Sequence, residues 1–206
     1  FKYFLRIPFY IESLEKRLEE APRNLKKDIL NQSIFSSDKD IKLKADIEAE
    51  NIIKSILEKE SSFPILAEES GKSKEHLDET FWVVDPLDGT KEFIEGVPNF
   101  VVSIALVCDN TSILGVLYNP VTGEIFSASK DNGSFLNGEP IYCSKKSNLN
   151  QMVILNSRSE TNRGLWDSYH KMFKELKPVG SVAYKLGLTA AGIGDVFATL
   201  RPKNEW

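Results

Sequence analysis

Acidic residues directly follow two short apolar segments, which the sequence predicts to be buried strands. Glu68 comes after the segment 63–67, and Asp85 comes after 81–84, with Asp88 three residues further on. If the two strands are neighbours, at least three carboxylates converge at one edge of a sheet. Oxygen ligands favour Mg2+, or alternatively Mn2+, over zinc. We therefore predict a divalent metal site; the alternative is that these acids only end strands and shape turns.

The run Asp85-Pro86-Leu87-Asp88-Gly89-Thr90 adds a place for a phosphate group. Pro86 and Gly89 shape the turn, and a helix is predicted to begin at Gly89-Thr90, with free amides that can hold a phosphate oxygen. Metal ions about 3.5–4 Å apart can polarise a phosphoryl group and generate hydroxide from bound water. The spacing excludes the phosphoaspartate chemistry of haloacid dehalogenase phosphatases, because Pro86 stands at the position of their nucleophile.

Length and composition are those of an ordinary globular chain of 206 residues, 41% hydrophobic and 27% charged. The formal net charge of -4 argues against binding to a nucleic acid polymer, which a strongly basic face would favour. Cys108 and Cys143 lie far apart, so neither a disulfide framework nor a thiolate zinc site is expected. The apolar residues 1–10 are too few to span a bilayer and make a poor signal peptide. We expect a cytoplasmic protein without a membrane span.

The elements that must position the acids are predicted from hydrophobic periodicity and turn residues. Helices are predicted over 11–21 and 25–30, from an N-cap at Asp46, and over 166–176 and 182–192, with a loop over 36–40. Strands are predicted over 63–67, 81–84, 100–108, 112–118, 124–128, 152–155 and 196–200. Hairpin-connected strands with helices grouped apart favour an α+β fold with antiparallel layers. We divide the chain into residues 1–150, which carry the metal site, and residues 151–206.

Several segments together resemble the inositol monophosphatase superfamily of lithium-sensitive, Mg2+-dependent phosphatases. The resemblance runs from about Asp40 to Trp206. Its anchors are Ala45-Asp46, Ala67 to Gly71, Asp85 to Thr90, Val102 to Leu106, Gly115 to Pro120, Gly180-Ser181 and Ala190 to Asp195. It implies a layered αβαβα sandwich of the inositol monophosphatase and fructose bisphosphatase kind. Because family members are often dimers, it also leaves a homodimer open.

The resemblance implies two or three bound Mg2+ ions. Glu68 and Asp85, with the carbonyl of Leu87, would hold the first ion. Asp85 and Asp88 would share the second, and Glu69 would reach a weaker third ion through a water. Glu68 is therefore counted among the catalytic residues as well as the metal ligands.

The resemblance also implies how water and phosphate are handled. Thr90, paired with Asp46, would orient and deprotonate the attacking water, and the amides of Gly89 and Thr90 would hold the phosphate. Attack would be direct and in line, without a phosphoenzyme. In the family, a metal-binding aspartate follows the Trp that corresponds to Trp206, so we expect this sequence to be a fragment. The alternative is a metal-binding homologue that does not turn over substrate.

The expected substrate is a small phosphorylated metabolite. The substrate-binding residues that the resemblance implies, besides Gly89 and Thr90, are Ser157, Arg158, Gly180, Ser181 and Lys185. A basic residue such as Arg158 or Lys185 could contact a second phosphate group. The alternative for each is an ordinary solvent-facing charge.

The choice between branches of the family depends on a few short runs. Residues 91–93 and 157–159 resemble the 3'(2'),5'-bisphosphate nucleotidases, and Leu200 stands where inositol enzymes place a substrate-binding glutamate. Residues 96–100 instead resemble the inositol branch. We predict a bisphosphate nucleotidase, with an inositol monophosphatase or sugar phosphatase as the alternative.

Overall fold

The computed structural model describes residues 38–73 and 79–202. Its first part contains helix α1 (Asp38–Glu60), β1 (Ile65–Ala67), β2 (Gly71–Lys72), β3 (Thr80–Asp88), helix α2 (Thr90–Ile94), β4 (Val101–Cys108), β5 (Thr111–Asn119), β6 (Glu124–Ser129), β7 (Gly133–Leu136) and β8 (Glu139–Pro140). Its second part contains β9 (Val153–Ser157), helix α3 (Arg158–Thr161), β10 (Glu175–Val179), helix α4 (Val182–Ala190) and β11 (Val196–Ala198). Single 3-10 turns lie at Leu149–Gln151 and Asp167–Tyr169.

Eight strands form the larger sheet, in the order β2-β1-β3-β4-β5-β6-β7-β8. Adjacent strands in this sheet are antiparallel, except that β1 and β3 run parallel to each other. The smaller sheet, in the order β10-β9-β11, is parallel throughout. The predicted α+β class is confirmed, but antiparallel pairing holds only for the larger sheet. The smaller sheet differs because its strands are joined by long crossovers, which parallel strands require.

The layers follow from which apolar faces are buried together. Helix α1 covers one face of the larger sheet, where its Ile53 and Leu57 share a core with Trp82 and Ile104. Because those side chains are fully or almost fully buried, this core anchors the strands that lead to the acidic residues.

Helix α4 lies between the two sheets. Its Tyr184 and Leu188 share a second core with Phe126 of the larger sheet and Leu155 of the smaller one. Trp166 and its neighbours cover the outer face of the smaller sheet. The order helix, sheet, helix, sheet agrees with the first four layers of the expected αβαβα sandwich, and the Trp166 segment with its 3-10 turn lies where the fifth layer is expected. In the part of the chain described, no helix has the length and apolar character needed to cross a membrane.

One helix prediction is wrong in its extent. Helix α1 begins at Asp38, so residues 38–40 of the predicted loop are helical and Asp46 lies inside the helix rather than at its N-cap. The sequence from 38 to 60 contains neither Gly nor Pro, so nothing interrupts the helix before Asp46. The helices predicted over 11–21 and 25–30 lie outside the described residues.

The helix predicted over 166–176 is also wrong. Only the 3-10 turn Asp167–Tyr169 forms there, and strand β10 begins at Glu175. The amide of Lys174 donates to the Met152 carbonyl at 3.0 Å and so starts the pairing with β9. The apolar spacing in this segment reflects packing on the smaller sheet, which sequence periodicity alone does not separate from a helix. The domain boundary at 150 falls between β8 and β9 and stays a prediction.

Candidate active site

The ends of β1 and β3 bring the first two acidic residues together. Ala67 pairs with Val84 in the parallel ladder, and the amide of Glu68 donates to the Val84 carbonyl at 3.0 Å. Glu68 and Asp85 are therefore the first residues beyond the same pair. The condition on which the predicted metal site depends, that these two strands are neighbours, is met.

The turn after Asp85 is held by its own hydrogen bonds. The amide of Leu87 donates to Asp85 Oδ1 at 3.0 Å, and the Thr90 hydroxyl donates to the Leu87 carbonyl at 3.2 Å. The register with β4 shifts between Asp85 and Asp88, as in a β-bulge. This bulge re-aims the chain, so that Asp88 remains near Asp85 instead of continuing along the strand.

Gly89 occupies a position in this turn where a side chain would not fit. Its φ angle is 99°, and a Cβ there would lie 2.9 Å from the Asn99 carbonyl oxygen and 3.0 Å from Phe100 Cβ. Helix α2 begins at the next residue, Thr90, as the sequence predicts. Glycine is thus required both by the backbone conformation and by the close approach of the 99–100 segment.

The acidic residues interact strongly with one another. Burial, together with the negative charges of Glu68 and then Asp88, raises the pKa of Asp85 from 3.8 to about 8, against the opposing hydrogen bond from the Leu87 amide. Such repulsion is relieved when a cation binds among the carboxylates. All the donors are oxygens, so the chemistry of the set fits Mg2+. The Leu87 carbonyl adds a neutral oxygen to the set.

Asp88 is engaged by helix α4. Its Oδ2 accepts hydrogen bonds from the Ser181 hydroxyl at 2.5 Å and from the Ala183 amide at 2.6 Å. Ser181 has a φ angle of 52° and also caps the helix by accepting from the Tyr184 amide at 2.9 Å. Within residues 38–73 and 79–202, no three His, Cys, Asp or Glu side chains are gathered closely enough to hold an ion as they stand. Full coordination by Asp88 would therefore require it to turn away from α4.

Helix α1 contributes Asp46 beside this turn. Asp46 is 3% exposed, and the preceding Ala45 packs with Leu87 and Phe100. This packing places α1 against the bulged end of β3 and against Phe93 of helix α2, which begins at Thr90. The pairing of Asp46 with the Thr90 hydroxyl stays a prediction.

Sequence reasoning missed one acidic residue, Glu50. It is 3% exposed, and its Oε2 accepts from the amides of Glu69 at 2.9 Å and Ser70 at 3.4 Å. The sequence contained a usable signal, because Glu50 stands four residues after Asp46 and so lies on the same helix face. That spacing went unused because the helix was expected to begin at Asp46.

The cleft at this edge of the sheet has a volume of about 550 Å3. One wall carries Glu68, Asp85, Asp88 and Thr90, and the rest is formed by small and apolar residues of β3 and the turn after it, β4, β5 and α4. Among the described residues that line it there is no Lys or Arg. Positive charge for an anionic substrate would thus have to come from bound metal.

The sequence profile of the inositol monophosphatase family matches residues 10–206. The chain belongs to the inositol monophosphatase family. It is 37% identical over 141 residues to inositol monophosphatase 3 of Solanum lycopersicum, which covers 64% of this chain and 52% of that protein. It is 29% identical over 201 residues to human inositol monophosphatase 1, covering 91% of this chain and 73% of that protein.

Solved structures agree with this assignment. The extragenic suppressor protein suhB from Bartonella henselae superposes with a TM-score of 0.75 at 29% identity, over 92% of this chain and 76% of that one. Thermotoga maritima IMPase TM1415 gives a TM-score of 0.68 at 31% identity, over 77% and 62% of the two chains. The chain spans about half the length of several of the relatives that it matches.

In this inositol monophosphatase family member, Arg158 lies outside the cleft lining. Its Nη1 lies 2.5 Å from Glu95 Oε2 and 3.5 Å from Glu92 Oε1. The hydrogen bond that the Arg158 guanidinium donates to Glu95 is the main cause that raises the pKa of Arg158 above its ordinary value. Gly180 packs directly against Glu92, where any Cβ would overlap that side chain. Ser157 is buried, and its hydroxyl lies 3.1 Å from that of Ser159.

Lys185 lies in the interior, where it is 3% exposed. Its ammonium donates to the carbonyls of Val179 at 3.1 Å, Gly180 at 3.3 Å and Ser181 at 2.6 Å. These bonds hold the strand-to-helix connection in front of α4. The structure therefore brings Ser181 to the acidic cluster but does not bring Arg158 or Lys185 there, and their contact with a second phosphate stays a prediction.

Proposed function

We propose that this chain carries the metal-binding and water-activating residues of a Mg2+-dependent phosphomonoesterase. The observation that supports this most is the meeting of Glu68, Asp85 and Asp88 at one edge of the larger sheet, where burial and mutual repulsion raise the pKa of Asp85 to about 8. The repulsion among these carboxylates is unfavourable without a cation and is relieved when a divalent metal ion binds among them.

The metal ligands are Glu68, Asp85, the Leu87 carbonyl and Asp88, for two or three Mg2+ ions, with Mn2+ as a substitute. When bound, the ions would supply positive charge against the phosphate and lower the pKa of the attacking water. This chain otherwise offers an acidic cleft, which would repel a phosphate ester. Metal and substrate binding should accordingly depend on each other.

The protein groups act on the water and the phosphate. The Thr90 hydroxyl and the Asp46 carboxylate orient the attacking water and take up its proton. The amides of Gly89 and Thr90 hold a phosphate oxygen. Pro86 leaves no carboxylate at the position of a phosphoaspartate nucleophile, so water attacks the phosphorus directly and the alcohol leaves.

For the substrate we favour an ester with one phosphate, such as an inositol monophosphate. Two features support this class. The relatives from Solanum lycopersicum and human carry that name, and the described residues that line the cleft include no Lys or Arg for a second phosphate. The predicted 3'(2'),5'-bisphosphate nucleotidase is the second candidate. It is supported by Arg158, which keeps 24% of its side chain exposed and could exchange Glu95 for a phosphate.

The test is phosphate release by the full-length protein in Mg2+, from inositol 1-phosphate, adenosine 3',5'-bisphosphate and fructose 1,6-bisphosphate. We expect inositol 1-phosphate to give the highest kcat/KM, with Arg158→Gln leaving that value unchanged. Preference for adenosine bisphosphate, with a KM that rises in Arg158→Gln, would establish the nucleotidase instead. Metal binding without any phosphate release would indicate a non-catalytic homologue.

A further inference from the structure

The turn 68–70, which carries Glu68, is hydrogen-bonded to helix α1. The amide of Glu68 donates to Val84, and the next two amides, of Glu69 and Ser70, both point at Glu50 Oε2, at 2.9 and 3.4 Å. All three consecutive amides of the turn therefore have acceptors. Two of those three hydrogen bonds depend on a single carboxylate.

Glu50 is itself held in place. It is 3% exposed, and burial of a carboxylate is costly unless it accepts hydrogen bonds or meets a positive charge. Lys54, one helical turn later, lies 3.9 Å from Glu50 Oε1 and donates to the Ser70 hydroxyl at 3.0 Å. Two side chains of helix α1, those of Glu50 and Lys54, thus form hydrogen bonds with the turn. Of these, Glu50 accepts the charge-assisted bonds from the backbone.

We infer that Glu50 is a positioning residue, which fixes the backbone of the Glu68 turn and thereby aims the Glu68 carboxylate at the metal. The inference rests on the metal site of the proposed function. Residues that orient a metal ligand from behind commonly change metal affinity by about 10- to 100-fold when they are replaced. Glu50 makes no contact with the substrate in this assignment, so its effect should appear in metal affinity and only secondarily in turnover.

The test measures Mn2+ binding to the full-length protein by electron paramagnetic resonance of the free ion, without substrate. Glu50→Ala removes both amide bonds and should weaken Mn2+ binding by about 10- to 100-fold. Glu50→Gln keeps one acceptor oxygen and should recover part of the loss. The control is Glu58→Gln, on the exposed side of the same helix, which should bind Mn2+ as the wild type does.

Circular dichroism establishes that each variant is folded, and the Gln variant decides the question if the Ala variant does not fold. Unchanged Mn2+ affinity in folded Glu50→Gln and Glu50→Ala would overturn the inference, as would a wild-type protein that binds no Mn2+. Phosphate release is measured separately. If the wild type binds Mn2+ without hydrolysis and the Glu50 variants bind it more weakly, the proposed enzymatic function fails while the positioning role of Glu50 stands.

Discussion

Glu68 and Asp85 are joined through the backbone, because the amide of Glu68 donates to the carbonyl of Val84, the residue directly before Asp85. This bond continues the parallel pairing of β1 with β3 by one residue. The backbone positions of these two residues are consequently set by strand pairing rather than by flexible loops. A site built on paired strands keeps the backbone of its ligands in place before any ion arrives.

Metal affinity should increase with pH. Since burial and the charges of Glu68 and Asp88 raise the pKa of metal-free Asp85 to about 8, protons compete with Mg2+ at lower pH. Isothermal titration calorimetry at pH values on either side of 8 should show tighter Mg2+ binding, with fewer protons released, on the alkaline side. Affinity that does not vary with pH would show that Asp85 is already ionised.

The same shift affects the stability of the metal-free protein. A carboxyl whose folded pKa lies above its unfolded value of 3.8 keeps its proton longer in the folded state. The free energy of unfolding should therefore fall as pH rises from about 4 to about 8. Asp85→Asn provides the control, because it lacks the titrating group and should show a smaller decrease over this range in thermal melts.

Gly89→Ala should reduce stability and phosphate release together. The substitution adds backbone strain at a φ of 99° and a clash with the Asn99 carbonyl, and we expect the free energy of unfolding to fall by about 3 kcal/mol. The matched control is Gly96→Ala, with a φ of 68° but open space around its Cβ. That variant should lose only about 1 kcal/mol. Equal losses in urea denaturation would show that the close approach to Asn99 is unimportant.

Thr90→Ala should lower kcat by several orders of magnitude, because it removes the hydroxyl proposed to orient the attacking water. Thr90→Ser keeps a hydroxyl that can still reach the Leu87 carbonyl, and should retain much more activity. Steady-state kinetics at saturating Mg2+ distinguish the two variants. The role assigned to Thr90 is wrong if the Ala variant performs as well as the Ser variant.

Glu160 should stabilise the C-terminal part of the fold. It is fully buried and accepts hydrogen bonds from Trp166 Nε1, the Thr199 hydroxyl and the amides of Leu200 and Arg201. Burial acts to raise the pKa of this carboxyl, but these bonds outweigh it and hold the pKa below its ordinary value. Glu160→Gln should lower the free energy of unfolding at neutral pH by about 3 kcal/mol.

The stabilisation that Glu160 provides should weaken in acid. Because the folded pKa is depressed, the contribution of Glu160 is present above its ordinary value of 4.5 and is lost as pH falls below it. The difference in melting temperature between the wild type and Glu160→Gln should therefore decrease as the pH is lowered through this range. Glu175→Gln, at an exposed position, should show no such difference at any pH, and a gap that stays constant into acid would contradict the assignment.

The sequence predicted the acidic cluster because strand ends are visible as apolar runs that stop at charged residues. The helix start at Thr90 was predicted as well, whereas the adjacency of the two strands was only a condition, which the pairing of Ala67 with Val84 meets. The start of α1 was misplaced because the mainly charged segment 38–44 forms helix as readily as loop, and tertiary packing decides between them. The segment 166–176 was misassigned because an apolar periodicity does not say whether a helix or a sheet surface creates it.

Contacts between distant elements were beyond sequence reasoning. Arg158 and Lys185 suggested phosphate ligands, yet the structure pairs the first with Glu92 and Glu95 and the second with backbone carbonyls. The residues that surround Arg158 and Lys185 in the sequence do not indicate these partners. The hydrogen bonds between Glu50 and the Glu68 turn, which begins 18 residues further along the chain, likewise have no signal in the local sequence.

The proposed function requires that Glu68, Asp85 and Asp88 hold the Mg2+ on which hydrolysis depends. The most direct measurement is phosphate release from inositol 1-phosphate by the full-length protein during a Mg2+ titration, with Asp88→Asn beside the exposed control Asp131→Asn. We predict release that rises to saturation with Mg2+, stops on chelation, falls by several orders of magnitude in Asp88→Asn and is unchanged in the control. Release that continues without metal, or an Asp88→Asn variant close to wild type, would contradict it.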